Sequence, residues 1–225
     1  MIVARRAVAV WLLACAAAAN AARDEPPAAP RMEYKPPPAG TYRLERIQRV
    51  PSGRVLDSDG ATHPFSAFTT GRITVLSFMY TYCTDRYGCP LAYETLTELH
   101  RRLLARPALA RQVRLVSLSF DPTNDTPAAM RVYGGRYVEV RGGLEWKFLT
   151  TESTAALTPL LEGLGQDAQV ERDERGRPTR VISHTLKVFL IDRAGWVREI
   201  YSPAFLFPDV VFNDIETLSL EGLAR

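Results

Sequence analysis

Cys83 and Cys89, with five residues between them, carry the most reactive side chains of the chain. Both lie in the stretch ITVLSFMYTYCTDRYGCPLAYETLTELHRRLL, residues 73–104. Residues 73–79 are a short apolar run of strand formers, as in a central strand covered on both faces. Residues 84–88 are polar and end in glycine, so they read as a loop. Pro90 suits the first position of a helix, where its missing N–H costs nothing. Ala92, Leu96, Leu99 and Leu103 then recur at helical spacing and give one core-facing stripe. Cys89 is thereby placed at the positive end of a helix dipole, which favours its thiolate. Two sulfurs at a strand end, one of them on a helix N-terminus, suit dithiol redox chemistry or a soft metal. A purely structural disulfide is the plainer alternative. Closing so short a loop would remove only about 2–2.5 kcal/mol of unfolded-state entropy.

The third cysteine, Cys15, falls in an N-terminal segment that reads as an export leader. Arg5 and Arg6 precede an apolar run over residues 7–19, short for a membrane span. Residues 1–21 are therefore expected to be a signal peptide or a lipoprotein leader. Ala19-Asn20-Ala21 suits cleavage to a soluble product. Leu12-Leu13-Ala14-Cys15 resembles a bacterial lipoprotein box, in which Cys15 would carry a lipid and anchor the protein to a membrane. Residues 22–40 are rich in Ala and Pro and read as an extended tether. Residues 41–225 then form one domain, expected at the periplasmic face of a bacterial membrane. Hydrophobic residues make up 46% of the chain, enough for a sizeable core. The net charge of +3 includes the two leader arginines. The remainder is close to neutral and gives no electrostatic case for nucleic acid.

The elements that must position the cysteines follow in order. Residues 42–47 are expected as an edge strand, and residues 54–65 as a hairpin turning at Asp59-Gly60. Residues 113–120 (VRLVSLSF) form a second buried strand, and Thr126 caps a helix beginning at Pro127. Strand–helix–strand–helix of this kind implies a parallel sheet core. Residues 138–140 and 144–149 are strand candidates. Residues 152–164 are helical, with Thr151 as the cap. The densely charged residues 169–180 read as a solvated hairpin loop. Residues 186–192 and 196–201 form another hairpin, and residues 213–223 a C-terminal helix.

Three histidines are present. His63 lies past a turn with nothing nearby to recruit it. His100 lies off the apolar stripe and is expected to face solvent. His184, in Ser183-His184-Thr185-Leu186, stands just before a strand. At that place thioredoxin-like proteins carry a cis-proline and Thr packed against the cysteine pair, and the chain is similar to that superfamily. The resemblance implies an α/β thioredoxin-like fold, a central mixed β-sheet flanked by helices, here with an N-terminal hairpin extension. It also implies an imidazole aimed at the two sulfurs.

With His184 replacing the proline, the chain more narrowly resembles the Sco/SenC family of copper-handling proteins that assist cytochrome c oxidase assembly. The matching stretches are VLSFMYTYC…CPLAYETL, VSLSFDPTNDTP, EWKFLT and SHTLKVFLIDRAG. The resemblance places Cys83, Cys89 and His184 on the family's copper ligands, and Asp121 on its acidic residue near the site. The family usually has three residues between its cysteines; the five here enlarge the loop and bring Asp85 and Arg86 near the sulfurs. Thiolate sulfur selects Cu(I), and a nitrogen donor also accommodates Cu(II). The implied function is a copper metallochaperone serving an acceptor such as an oxidase subunit, with a thiol reductant keeping its cysteines reduced for loading. The alternative is a periplasmic thiol–disulfide oxidoreductase in which Cys83 attacks and Cys89 resolves. A thiol peroxidase would need a proline upstream of its cysteine that Tyr80-Thr81-Tyr82-Cys83 lacks.

Overall fold

The structure, a computed structural model, describes residues 31–140 and 143–223. The leader, Cys15 and the first part of the tether, residues 22–30, lie outside the described residues. Strand β1 is Gln48–Arg49, and β2 (Arg54–Leu56) pairs antiparallel with β3 (Thr62–Pro64) as a separate hairpin. Its turn is the expected one: Asp57 accepts from the backbone of Asp59 and Ala61, and Gly60 takes the positive φ of 83° that glycine allows. A short helix α1 (Ser66–Thr69) leads into β4 (Ile73–Met79). Helix α2 (Cys89–Leu104), the short α3 (Pro107–Ala110) and β5 (Val113–Ser119) follow. Next come α4 (Pro127–Gly134), a 3-10 turn (Gly135–Tyr137), β6 (Glu145–Leu149) and α5 (Thr154–Leu164). The second hairpin is β7 (Gln169–Arg172) with β8 (Pro178–Ser183), and the chain closes with β9 (Val188–Ile191), β10 (Trp196–Tyr201) and α6 (Pro208–Leu223).

One six-stranded sheet, in the order β1-β10-β9-β4-β5-β6, organises the domain. Strands β4, β5 and β6 run parallel, while β9 pairs antiparallel with β4, and β10 with β9. The expected mixed α/β sheet flanked by helices is therefore present. All seven residues of β4 are buried, which requires cover on both faces of the central strand. The stripe predicted for α2 is its core face: Ala92, Leu96, Leu99 and Leu103 are all buried.

Several local expectations need correction. Residues 42–47 do not form the edge strand; Gln48–Arg49 does, in register with Val197 and Trp196. Tyr42 instead donates its hydroxyl to Asp214 on α6, and Leu44 O accepts from the buried Arg198. The tether's last residues also hold α6: Asn213 donates to Pro37 O at 3.0 Å and Gly40 N–H to Thr217 at 2.9 Å. Residues 138–140 form no strand, because the 3-10 turn takes the chain around before β6. Helix α5 is capped by Ser153, which accepts from Ala156 N–H, while Thr151 donates to Ser153 O. The Thr126 cap on α4 is as expected.

Two histidines also differ. His63 Nε2 lies 3.0 Å from Asp57, and its ring meets Phe68 edge-on. His100 is not solvent-facing. It is 8% exposed, packed on the rings of Tyr137 and Trp146, with its Nε2 making no hydrogen bond. The apolar stripe of α2 is wider than leucine spacing suggests, because aromatic residues from beyond β5 extend the core over it. Burial and the nearby Arg136 both push the His100 pKa down. The unfolded chain therefore binds this proton more readily, and stability should fall as pH drops below the ordinary histidine value. Urea unfolding between pH 8 and 5 is expected to show this loss, and His100→Leu should flatten the curve.

Candidate metal and thiol centre

The carboxyl end of β4 continues into a tight turn, Tyr80-Thr81-Tyr82-Cys83, closed by Cys83 N–H donating to Tyr80 O at 3.1 Å. The next loop turns back through Asp85, whose side chain accepts from Tyr87 N–H at 3.0 Å and whose carbonyl accepts from Gly88 N–H at 2.9 Å. Gly88 is buried against Asp85, and a Cβ there would lie 3.2 Å from its carboxylate. The five-residue loop thus closes compactly and delivers Cys89 into the first turn of α2. The helix begins at Cys89 itself, one residue before the proline.

His184 follows the last residue of β8 and reaches the same point from the other side. The ligand atoms of Cys83, Cys89 and His184 all lie within 4.8 Å of one another. Among the described residues no other cluster of three such groups occurs. Cys89 Sγ is 3.7 Å from His184 Nε2. The other ring nitrogen, Nδ1, lies 2.8 Å from Ile182 O. Since a carbonyl only accepts, Nδ1 carries the proton and Nε2 presents its lone pair to the sulfurs. The imidazole is held between rings, with Phe120 at 4.8 Å and Tyr80 edge-on at 5.8 Å.

The two sulfurs are unequal, and the inequality reverses the helix-dipole expectation. Cys89 is 2% exposed and Cys83 is half-buried. Both are free thiols. Cys83 is lowered to about 6, first because the Cys89 S–H donates to it, then through the backbone N–H groups of Cys89 and Asp85. Cys89 is pushed up strongly by the same hydrogen bond and by burial. One negative charge in a confined pocket excludes a second, and the charge settles on the sulfur that water and three donors can reach. Tyr80 is raised to about 12, chiefly by burial, and its hydroxyl receives Ile182 N–H at 3.5 Å.

Asp121 is not among the clustered groups. Its carboxylate receives the Asn124 side chain at 2.6 Å, and its N–H donates to Ser119. Arg86 is exposed, and Arg180 of β8 stacks 3.8 Å over the ring of Tyr82. The sequence reading passed over Tyr80, Phe120 and Asp125 around this centre. For the first two the available signal was positional: Tyr80 lies within three residues of Cys83, and Phe120 directly follows β5, the strand beside β4.

A mixed sheet with two thiols and an imidazole at the carboxyl end of its central strand defines a thioredoxin-like domain with a soft-ligand site. The family model described as SCO1/SenC matches residues 54–219, and the chain belongs to that family. A protein described as "Putative copper-binding protein" from Stutzerimonas stutzeri is 35% identical over 101 residues, 44% of this chain and 46% of that protein. The chain thus spans less than half the length of this curated relative. A copper-bound ScoI structure from Bradyrhizobium japonicum superposes with a TM-score of 0.57 at 23% identity, over 76% of this chain and 98% of that one. A SCO1/SenC family lipoprotein from Bacillus anthracis gives 0.61 at 22%, over 80% and 99%.

The thiol inequality is directly testable. Alkylation by iodoacetamide at neutral pH, read by peptide mass, should modify Cys83 and leave Cys89 largely intact. The Cys83 rate should rise with an apparent pKa near 6. Cys89→Ala removes the donated S–H and should move that value toward the ordinary thiol value of about 8.5.

Proposed function

We propose that this protein is a copper metallochaperone that carries one copper ion between Cys83, Cys89 and His184. The observation that carries this reading is the convergence of two sulfurs and an imidazole lone pair within 4.8 Å. The donor chemistry fits the cargo: two soft sulfurs suit Cu(I), and neutral Nε2 suits either oxidation state. The Ile182 carbonyl orients the ring and sets its tautomer, as outer partners of metal-binding histidines do. The half-exposed Cys83 leaves a route for an incoming acceptor ligand, so transfer by ligand exchange needs no unfolding. The acceptor we infer is a copper-site protein such as a respiratory oxidase subunit. A periplasmic location, with a lipid on Cys15 and residues 22–40 as spacer, completes the reading. The Bacillus anthracis lipoprotein of the same family supports it, and among the described residues no helix is long and apolar enough to cross a membrane.

The thiol–disulfide oxidoreductase remains the second reading. The observation favouring it is the pairing of an acidic, accessible Cys83 with a buried, protonated Cys89, which separates an attacking from a resolving thiol.

Anaerobic titration of the reduced domain with Cu(I) in competition with a chromophoric chelator separates the two. One equivalent should bind tightly, and His184→Ala should weaken binding while leaving thiol reactivity in place. Unchanged affinity in His184→Ala would sink the three-ligand site. Affinity must also depend on pH, because bound sulfurs are deprotonated. Between about pH 6 and 8 Cys83 is already ionised and Cys89 is not, so binding displaces one proton. The affinity should then rise about tenfold per pH unit, and more steeply below about 6.

A further inference from the structure

The carboxylate of Asp125 is completely buried, and no cation pairs with it among the described residues. Among the described residues, the hydrogen bonds it accepts come from Thr81 and Ser119. Thr81 Oγ1 donates at 2.5 Å, Thr81 N–H at 3.2 Å and Ser119 Oγ at 2.5 Å. Asp125 N–H is itself held by Asp121 O at 2.7 Å. Burying a carboxylate is costly unless donors surround it, and replacing it by an apolar side chain would often do as well for stability alone. What the arrangement secures is a position. Thr81 is the second residue of the turn that presents Cys83, and its backbone and side chain are both clamped. Ser119, at the end of β5, fixes the clamp to the sheet. On the other side of the turn, Tyr80 is held against Ile182 and the ring of His184.

We propose that Asp125 is a positioning residue for the centre: through Thr81 it sets where Cys83 stands relative to Cys89 and His184. The clamp compensates for the five-residue loop, which by its length leaves the Cys83–Cys89 separation less constrained than a shorter loop would. Its action on copper rests on the proposed function. Its action on the cysteine pair does not, because how readily the two sulfurs close to a disulfide depends on the same separation.

The test uses Thr81→Val, Thr81→Ser, Asp125→Asn and Ser119→Ala. Two readouts are taken: the Cys83–Cys89 equilibrium in thiol–disulfide buffers, and Cu(I) affinity by chelator competition. Thermal unfolding is the control for fold. In the buffers, each disulfide formed converts one oxidised dithiol reagent to its reduced form. Thr81→Val keeps the shape but loses the hydroxyl donor, and Thr81→Ser keeps it. Thr81→Val and Asp125→Asn should weaken Cu(I) binding about 10- to 100-fold, the usual effect of losing a partner behind a ligand. They should disfavour the disulfide about tenfold, raising the potential by about 30 mV. Thr81→Ser should retain both wild-type values. If Thr81→Val stays folded and leaves both readouts within twofold of wild type, the proposal is overturned, whatever Asp125→Asn does. If wild type binds no copper but the disulfide shift appears, the positioning role stands and the copper reading fails.

Discussion

Everything at the centre depends on β4 being immobile. Its seven residues are buried, paired to β5 on one side and β9 on the other. A strand in that place cannot shift register without moving its whole apolar set into the wrong layer. The last paired residue, Met79, is therefore fixed, and Cys83 follows after a single turn closed on Tyr80. The sulfurs inherit their place from the hydrophobic core rather than from each other. That is why a loop of five residues can still bring them together.

Electrostatics then divides the labour between two chemically identical side chains. A helix N-terminus favours an anion at Cys89, but by no more than about 1 kcal/mol in an exposed setting. Taking a thiolate fully out of water costs more. At Cys89 the hydrogen bond it donates to Cys83 and the desolvation of a side chain only 2% exposed together prevail, and the proton stays on. The helix dipole favours the Cys89 thiolate but is too weak to hold it.

Much of this was legible in the residues. The seven-residue strand, the apolar stripe of α2, the Thr126 cap and the Asp59-Gly60 turn all rest on local patterns that tertiary structure left in place. Most of the failures share a cause. His100 and the missing strands at residues 42–47 and 138–140 were decided by the surroundings of those segments: Tyr137 and Trp146, Asp214, and the path into β6; the Ser153 cap was a local choice between two neighbouring hydroxyls. The convergence of His184 on the cysteines came from family resemblance, since nothing local joins residues a hundred positions apart. Asp125 was unreadable for the opposite reason. Its role depends on a buried position that an Asp-rich, turn-like sequence does not advertise.

The three candidate ligands stand on unlike supports. Both cysteines follow from the sheet, whereas His184 follows β8, half of a two-stranded arm whose β7 is exposed throughout. That arm is fastened mainly by Ile182, by Arg180 on Tyr82, and by Gln166 and Asp167 on Thr185. Such peripheral units open at a small fraction of the free energy of global unfolding. Excursions of the arm would carry the imidazole away from two sulfurs whose own footing, the central sheet, stays undisturbed.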